Sequence, residues 1–123
     1  MKVIYVAGPF RSVNADGTMN AWGIQQHVMR AMAMGLEVWK RGHAALVPHA
    51  NTMFFQHADG CADDVWLEGD LELLRRCDAV LMVPGWEQSS GARAEKVFAE
   101  DHALPVLFTL ENLETFLNTG QRT

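Results

Sequence analysis

Val3-Ile4-Tyr5-Val6-Ala7, stopped at once by Gly8-Pro9, decides how the rest of the chain is read. The run is continuously apolar and rich in β-branched side chains, the pattern of a strand covered on both faces. A strand of that kind belongs to a parallel sheet, whose strands must be joined by crossover connections, usually helices. From about residue 21 to 41, Ile24, Val28, Met32, Leu36 and Trp39 recur at helical spacing, with Gln25, Arg30 and Lys40 on other faces. This predicts a long amphipathic helix. Gly42 follows as a C-cap would, and Ala44-Ala45-Leu46-Val47 reads as a second short strand ending at Pro48.

The alternation continues to the end of the chain. After a loop through His57 and Gly60, Leu67, Leu71 and Leu74 mark a helix, with Asp63 and Asp64 near its positive N-terminus. Ala79-Val80-Leu81-Met82-Val83 is a third strand, broken by Pro84-Gly85, and a helix from Gly91 to about His102 opens with Ser89 or Ser90 as N-cap. Pro105-Val106-Leu107-Phe108 is a fourth strand, and Leu110, Leu113, Phe116 and Leu117 mark a last helix before a frayed tail at Gly120 to Thr123. The expected fold is α/β, one domain over residues 1–123: a doubly wound parallel sheet of four to five strands with helices on both faces.

Composition narrows the function. With 49% hydrophobic and 20% charged residues in 123, the chain is globular and the size of one domain. Fifteen acidic against ten basic side chains give a net charge of -5, with no Lys/Arg block, which argues against a polymeric nucleic acid partner. A small anion held by backbone N–H groups and one Arg fits that charge. No apolar run approaches the roughly 20 residues that cross a bilayer, and no signal peptide is read, so no membrane partner and a cytoplasmic location are expected. Cys61 and Cys77 form no CxxC and are expected as reduced thiols. His43, His49, His57 and His102 lack the companion spacing of a closed zinc site, so no metal is expected. Neither GxGxxG nor GxxxxGK[ST] is present, which weighs against dinucleotide and P-loop chemistry and leaves no expected cofactor.

In doubly wound sheets ligands bind beyond the carboxyl ends of the strands. Gly8 to Ser12, Pro48 to Thr52 and Pro84 to Gly91 are the segments at those ends. Ser89-Ser90-Gly91-Ala92 is either an anion cradle or a plain N-cap followed by small residues. Glu95, among Ala92, Ala94, Val97, Phe98 and Ala99, is either a nucleophile or base, or a solvated helix residue. Asp70 lies about 9 Å up its helix from Arg76, towards the ligand edge, or merely borders the buried stripe. Tyr5 reads as a core anchor with one hydroxyl partner, and Arg11 as a phosphate clamp or a surface residue. Trp86, Trp22 and Phe10 either stack on a base or serve as lids or core, and Met53-Phe54-Phe55 and Met32-Ala33-Met34 read as core.

Taken in order, Ile4-Tyr5-Val6-Ala7-Gly8-Pro9-Phe10-Arg11, Asp70 through Val80, and Ser89-Ser90-Gly91-Ala92-Arg93-Ala94-Glu95 resemble the nucleoside 2-deoxyribosyltransferase superfamily. The likeness is to its small members, the nucleotide N-glycosidases, and to phage-type relatives, and it runs the length of the chain. It implies a flavodoxin- or Rossmann-like fold and cleavage or exchange of the N-glycosidic bond of a nucleoside or (deoxy)nucleoside 5'-monophosphate, without a cofactor. On it Glu95 is the carboxylate at the anomeric carbon, Asp70 the acid that assists base departure or positions water, and Tyr5 the residue that orients the catalytic carboxylate. Gly8, Arg11, Ser89 and Gly91 would hold a 5'-phosphate, and Phe10 and Trp86 are counted with them as substrate-binding candidates, their stacking on a base left open. The resemblance also implies a homodimer or larger homo-oligomer, with exposed aromatics at its interface. Arg93-Ala94 and the loop Pro84-Gly85-Trp86-Glu87 depart from the family's usual pattern. Pro84 through Glu95 more loosely resembles the PGGxGTxxE motif of phosphoribohydrolases, which implies similar chemistry on a ribonucleotide. A non-catalytic nucleotide-binding or sensing module and a purely structural interaction domain are the remaining alternatives.

Overall fold

In a computed structural model of the chain, residues 1–52, 54–55, 60 and 63–119 are described. The elements are β1 (Val3–Ala7), α1 (Ala21–Lys40), β2 (Ala44–Leu46), α2 (Pro48–Thr52), α3 (Asp63–Arg75), β3 (Ala79–Met82), α4 (Ser90–Asp101), β4 (Val106–Leu107) and α5 (Leu110–Thr119). The strands form one four-stranded sheet in the order β2-β1-β3-β4, parallel at every pairing. β1 and β3 are the two inner strands because they are the runs that tolerate burial on both faces. β1 pairs Tyr5 with Leu46 on one side and with Val80 on the other.

Strand alternation sorts the helices. Ile4, Ala79, Leu81 and Leu107 point to one face, where Val38 of α1 and Leu113 and Phe116 of α5 cover them. Tyr5, Ala7, Val80, Met82 and Val106 point to the other, under Leu74 of α3 and Ala92 and Ala99 of α4. The expected doubly wound α/β architecture is therefore observed, with four strands among the described residues.

Three expectations change. The buried face of α1 is Gly23, Ile24, Val28, Ala31, Gly35 and Val38, whereas Met32, Leu36 and Trp39 are exposed. Gly35 is the reason: a Cβ there would lie 2.7 Å from Val47 Cγ2, so the helix rests on its small residues and turns the large ones outward. Pro48 to Thr52, expected as loop, is a short helix with Pro48 at its first position, where a missing N–H costs nothing. Phe54 and Phe55 are exposed, not core, and so is Leu67, because only the C-terminal half of α3 packs into the core through Leu71, Leu73 and Leu74. Met53, His57, Cys61 and the Gly120 to Thr123 tail lie outside the described residues.

Candidate active site

Tyr5 is the residue from which the site is built. Its place in the middle of β1 buries the ring completely, on the face covered by α3 and α4. α4 begins where Ser89 caps it, its side chain accepting from Ala92 N at 3.1 Å. With the start fixed, Ala92, Glu95 and Ala99 fall on one buried stripe, and Glu95 is left only 6% exposed. A carboxylate on a buried stripe requires a partner. Tyr5 supplies it: the phenol Oη donates a short hydrogen bond to Glu95 Oε2.

Asp70, half-buried on α3, completes the cluster. It is close enough to act electrostatically on both other groups, raising the Tyr5 phenol and the Glu95 carboxyl. Burial pushes Glu95 up to about 7, against the opposing pull of the Tyr5 hydrogen bond and with the aid of Asp70. Burial likewise pushes Asp70 up to about 6. Burial and the Glu95 carboxylate hold the Tyr5 phenol far above its ordinary range, so it stays a donor. The fold thus sets two carboxyl groups that exchange protons near neutrality beside a permanent hydrogen-bond donor.

The remaining expected residues lie on the loops after β1 and β3 and at the start of α4. Gly8 is buried where β1 and β3 end together, and a Cβ there would lie 2.7 Å from Val83 Cβ. Gly85 takes a left-handed φ of +99°, and the contact a Cβ would make there is with Pro9. The loops after β1 and β3 therefore meet. Phe10 is half-buried with its ring 5.5 Å from that of His49, and Arg11 is exposed. At the start of α4, Gly91 faces open space, where a Cβ would meet only Ser89 Oγ at 4.0 Å. Trp86 packs against Phe108, ring centroids 5.7 Å apart, with Lys96 Nζ 5.7 Å above its ring.

Two features escaped the sequence reading. An open cleft of about 420 Å³ reaches Asp70, walled by Phe55 and Trp66, whose rings lie 5.9 Å apart. His27 and His49 contact the loop after β1. Aromatic residues bracketing the segment between α2 and α3 were the available signal for the cleft. Among the described residues no group of three or more His, Cys, Asp or Glu is placed to hold a metal, and Cys77 is a buried free thiol.

The family described as "Domain of unknown function (DUF4406)" matches residues 2–108. None of the curated proteins matches the chain. A solved structure of a 2-deoxyribosyltransferase from the psychrotolerant bacterium Bacillus psychrosaccharolyticus has a TM-score of 0.56 at 18% identity, over 89% of this chain and 78% of that chain. At that identity the likeness is one of fold, and it agrees with the resemblance read from the three sequence segments.

Proposed function

The chain belongs to the DUF4406 family, and from the site built on its fold we propose that it breaks the N-glycosidic bond of a nucleoside or (deoxy)nucleoside 5'-monophosphate, by hydrolysis or by transfer. The observation that carries this reading is the buried Glu95 carboxylate, held by Tyr5 with Asp70 alongside. The deoxyribosyltransferase that shares the fold supports the substrate class. On this reading residues 1–123 are one nucleoside 2-deoxyribosyltransferase-like domain working in the cytoplasm. No helix among the described residues is long and apolar enough to cross a membrane.

The chemistry follows the paired-carboxylate logic of glycoside cleavage. Ionised Glu95 attacks the anomeric carbon as the bond to the base breaks. The bonding pair leaves on the base nitrogen, which takes a proton from Asp70. Tyr5 holds Oε2 and so presents Oε1 for attack. Water, or a second base, then displaces Glu95 from the sugar and returns its proton to Asp70. On this reading the base lies against Asp70 in the cleft that Phe55 and Trp66 line. Gly8, Phe10, Arg11, Trp86, Ser89 and Gly91 form the substrate-binding part of the proposal, with any 5'-phosphate at the α4 N-terminus and Arg11.

Free-base release from a panel of ribo- and deoxyribonucleosides and their 5'-monophosphates, separated by chromatography, tests this. At least one is expected to release base, and the Glu95→Ala protein is expected to release none. No release from any of them, with Glu95→Ala indistinguishable from wild type, rejects the proposal.

The pH profile tests the roles. Attack needs Glu95 ionised, with a pKa of about 7, while base departure needs Asp70 protonated, with a pKa of about 6. The active arrangement is therefore the less populated of the two singly protonated forms. kcat/KM is expected to rise up to about pH 6 and fall above about pH 7, the limits set by the two carboxyl groups. A rise through pH 7 with no alkaline fall contradicts the acid role of Asp70.

Self-association is the last part of the reading. Trp22, Met29, Met32, Leu36 and Trp39 form an exposed apolar stripe on α1. Met32 and Trp39 adjoin Gly35, which rests on Ala45 and Val47 at β2, the strand at the end of the sheet. Trp22 and Trp39 stand equally far from the midpoint between Arg30 and Ala31, and Met29 and Met32 flank it. An antiparallel two-fold pairing of α1 with a second copy therefore matches the stripe to itself. Light scattering after gel filtration is expected to show a dimer, and Met32→Glu a folded monomer. A wild-type monomer at high concentration contradicts this.

A further inference from the structure

Two imidazoles take three consecutive carbonyls of the loop that leaves β1. His49 Nε2 lies 2.9 Å from Gly8 O and 3.0 Å from Pro9 O, and His27 Nδ1 lies 3.1 Å from Phe10 O. A carbonyl oxygen only accepts, so each of these ring nitrogens carries the proton and donates. His49 is thereby fixed as the Nε2–H tautomer, and burial lowers its pKa and keeps it neutral. Its Nδ1 is then a buried acceptor with no partner among the described residues. An unsatisfied nitrogen is unfavourable inside a protein, so this ring is explained by what its other nitrogen holds.

What it holds determines where the loop's amides point. In a trans peptide the C=O and the following N–H point in opposite directions, and the described chain contains no cis peptide. With the Pro9 carbonyl on His49 and the Phe10 carbonyl on His27, the amides of Phe10 and Arg11 are turned away from α1 and α2. Gly8 fixes the opposite side of the loop against Val83. The loop is thus held from three elements that are distant in sequence: α1, α2 and the end of β3.

We infer that His49 and His27 are positioning residues that set the Gly8 to Arg11 loop, so that the Phe10 ring, the Arg11 side chain and their two amides meet the substrate as one preorganised surface. The inference rests on the site being a nucleoside or nucleotide pocket. Neither imidazole touches the reacting atoms, so the loop acts on binding and leaves the bond-breaking step to Glu95 and Asp70.

The test compares His49→Phe, which keeps a ring beside Phe10 but has no donor, with His49→Gln, whose amide nitrogen restores a donor near Nε2. His27→Ala and His27→Asn form the parallel pair. Two quantities are read: KM and kcat for base release, and hydrogen exchange of the Phe10 and Arg11 amides with a nucleotide bound at saturation. His49→Phe is expected to raise KM about tenfold, with kcat within about threefold of wild type, and to speed exchange at both amides. His49→Gln is expected to stay within about threefold of wild type on both readings. Unchanged exchange and KM in a folded His49→Phe protein overturn the inference. So does faster exchange with an unchanged KM, which makes the histidines structural only, and so does a folded His49→Gln protein that behaves like His49→Phe. If the wild-type protein neither releases base nor binds a nucleotide by calorimetry, the pocket reading fails and this role for the loop with it. Intact activity with unperturbed variants instead removes the role of the histidines alone.

Discussion

Glu95→Gln is expected to lower kcat/KM by at least about a thousandfold while making the protein more resistant to heat at pH 8. The first effect follows from removing the buried carboxylate that Tyr5 holds, since a neutral amide cannot attack the anomeric carbon or stabilise its positive charge. The second follows from the same burial. Glu95 titrates at about 7 in the folded protein against an ordinary value of 4.5, so the folded state binds the proton more tightly than the unfolded one. Stability from this group is fully present below pH 4.5 and is lost as pH rises through about 7. At pH 8 the ionised carboxylate costs about 3 kcal/mol, which the amide does not. Tm measured by circular dichroism should therefore rise by several degrees at pH 8 and not at pH 4. Equal Tm at both pH values, or retained base release, contradicts this account of Glu95.

Asp70→Asn is expected to lower kcat about a hundredfold or more on nucleotides whose base leaves poorly without protonation. A sugar bearing an acidic phenol as leaving group needs no proton and should lose far less. That contrast separates an acid from a residue that merely shapes the cleft, which would slow both alike. The pH profile should change as well. Loss of Asp70 removes the alkaline fall, and the acid limb, which ends at about pH 6 in the wild type, should then follow Glu95 alone and move to higher pH, staying below about 7 because the Asp70 charge no longer raises it. Equal losses on both kinds of substrate contradict the acid role.

Much of this architecture is legible in the amino-acid sequence because burial on two faces leaves an unambiguous signature. Val3 to Ala7 and Ala79 to Met82 have no polar side to confuse the pattern, and Ser89 marks the start of α4 by its capping chemistry. The buried face of α1 was harder to read. That helix carries two apolar arcs, and hydrophobicity does not say which one packs; Gly35, small enough to rest on Val47, was the deciding residue. Glu95 shows the same limit at the site. Its helix position was clear, but its burial depends on how α4 lies over Tyr5, ninety residues away along the chain. His49 and His27 are similarly invisible, because their partners on the β1 loop are distant in sequence and are backbone atoms.

The central claim is that Glu95 and Asp70 act on one glycosidic bond between them. The measurement that meets it most directly is a crystal structure of the Glu95→Gln protein with a nucleotide that the wild type cleaves. The anomeric carbon is expected within about 3.5 Å of the side chain at position 95, with a base nitrogen in hydrogen-bond reach of Asp70. The two side-chain termini should stand roughly 5–10 Å apart across the bond. A nucleotide bound elsewhere, or a separation far beyond about 10 Å with nothing bridging the two residues, contradicts the claim.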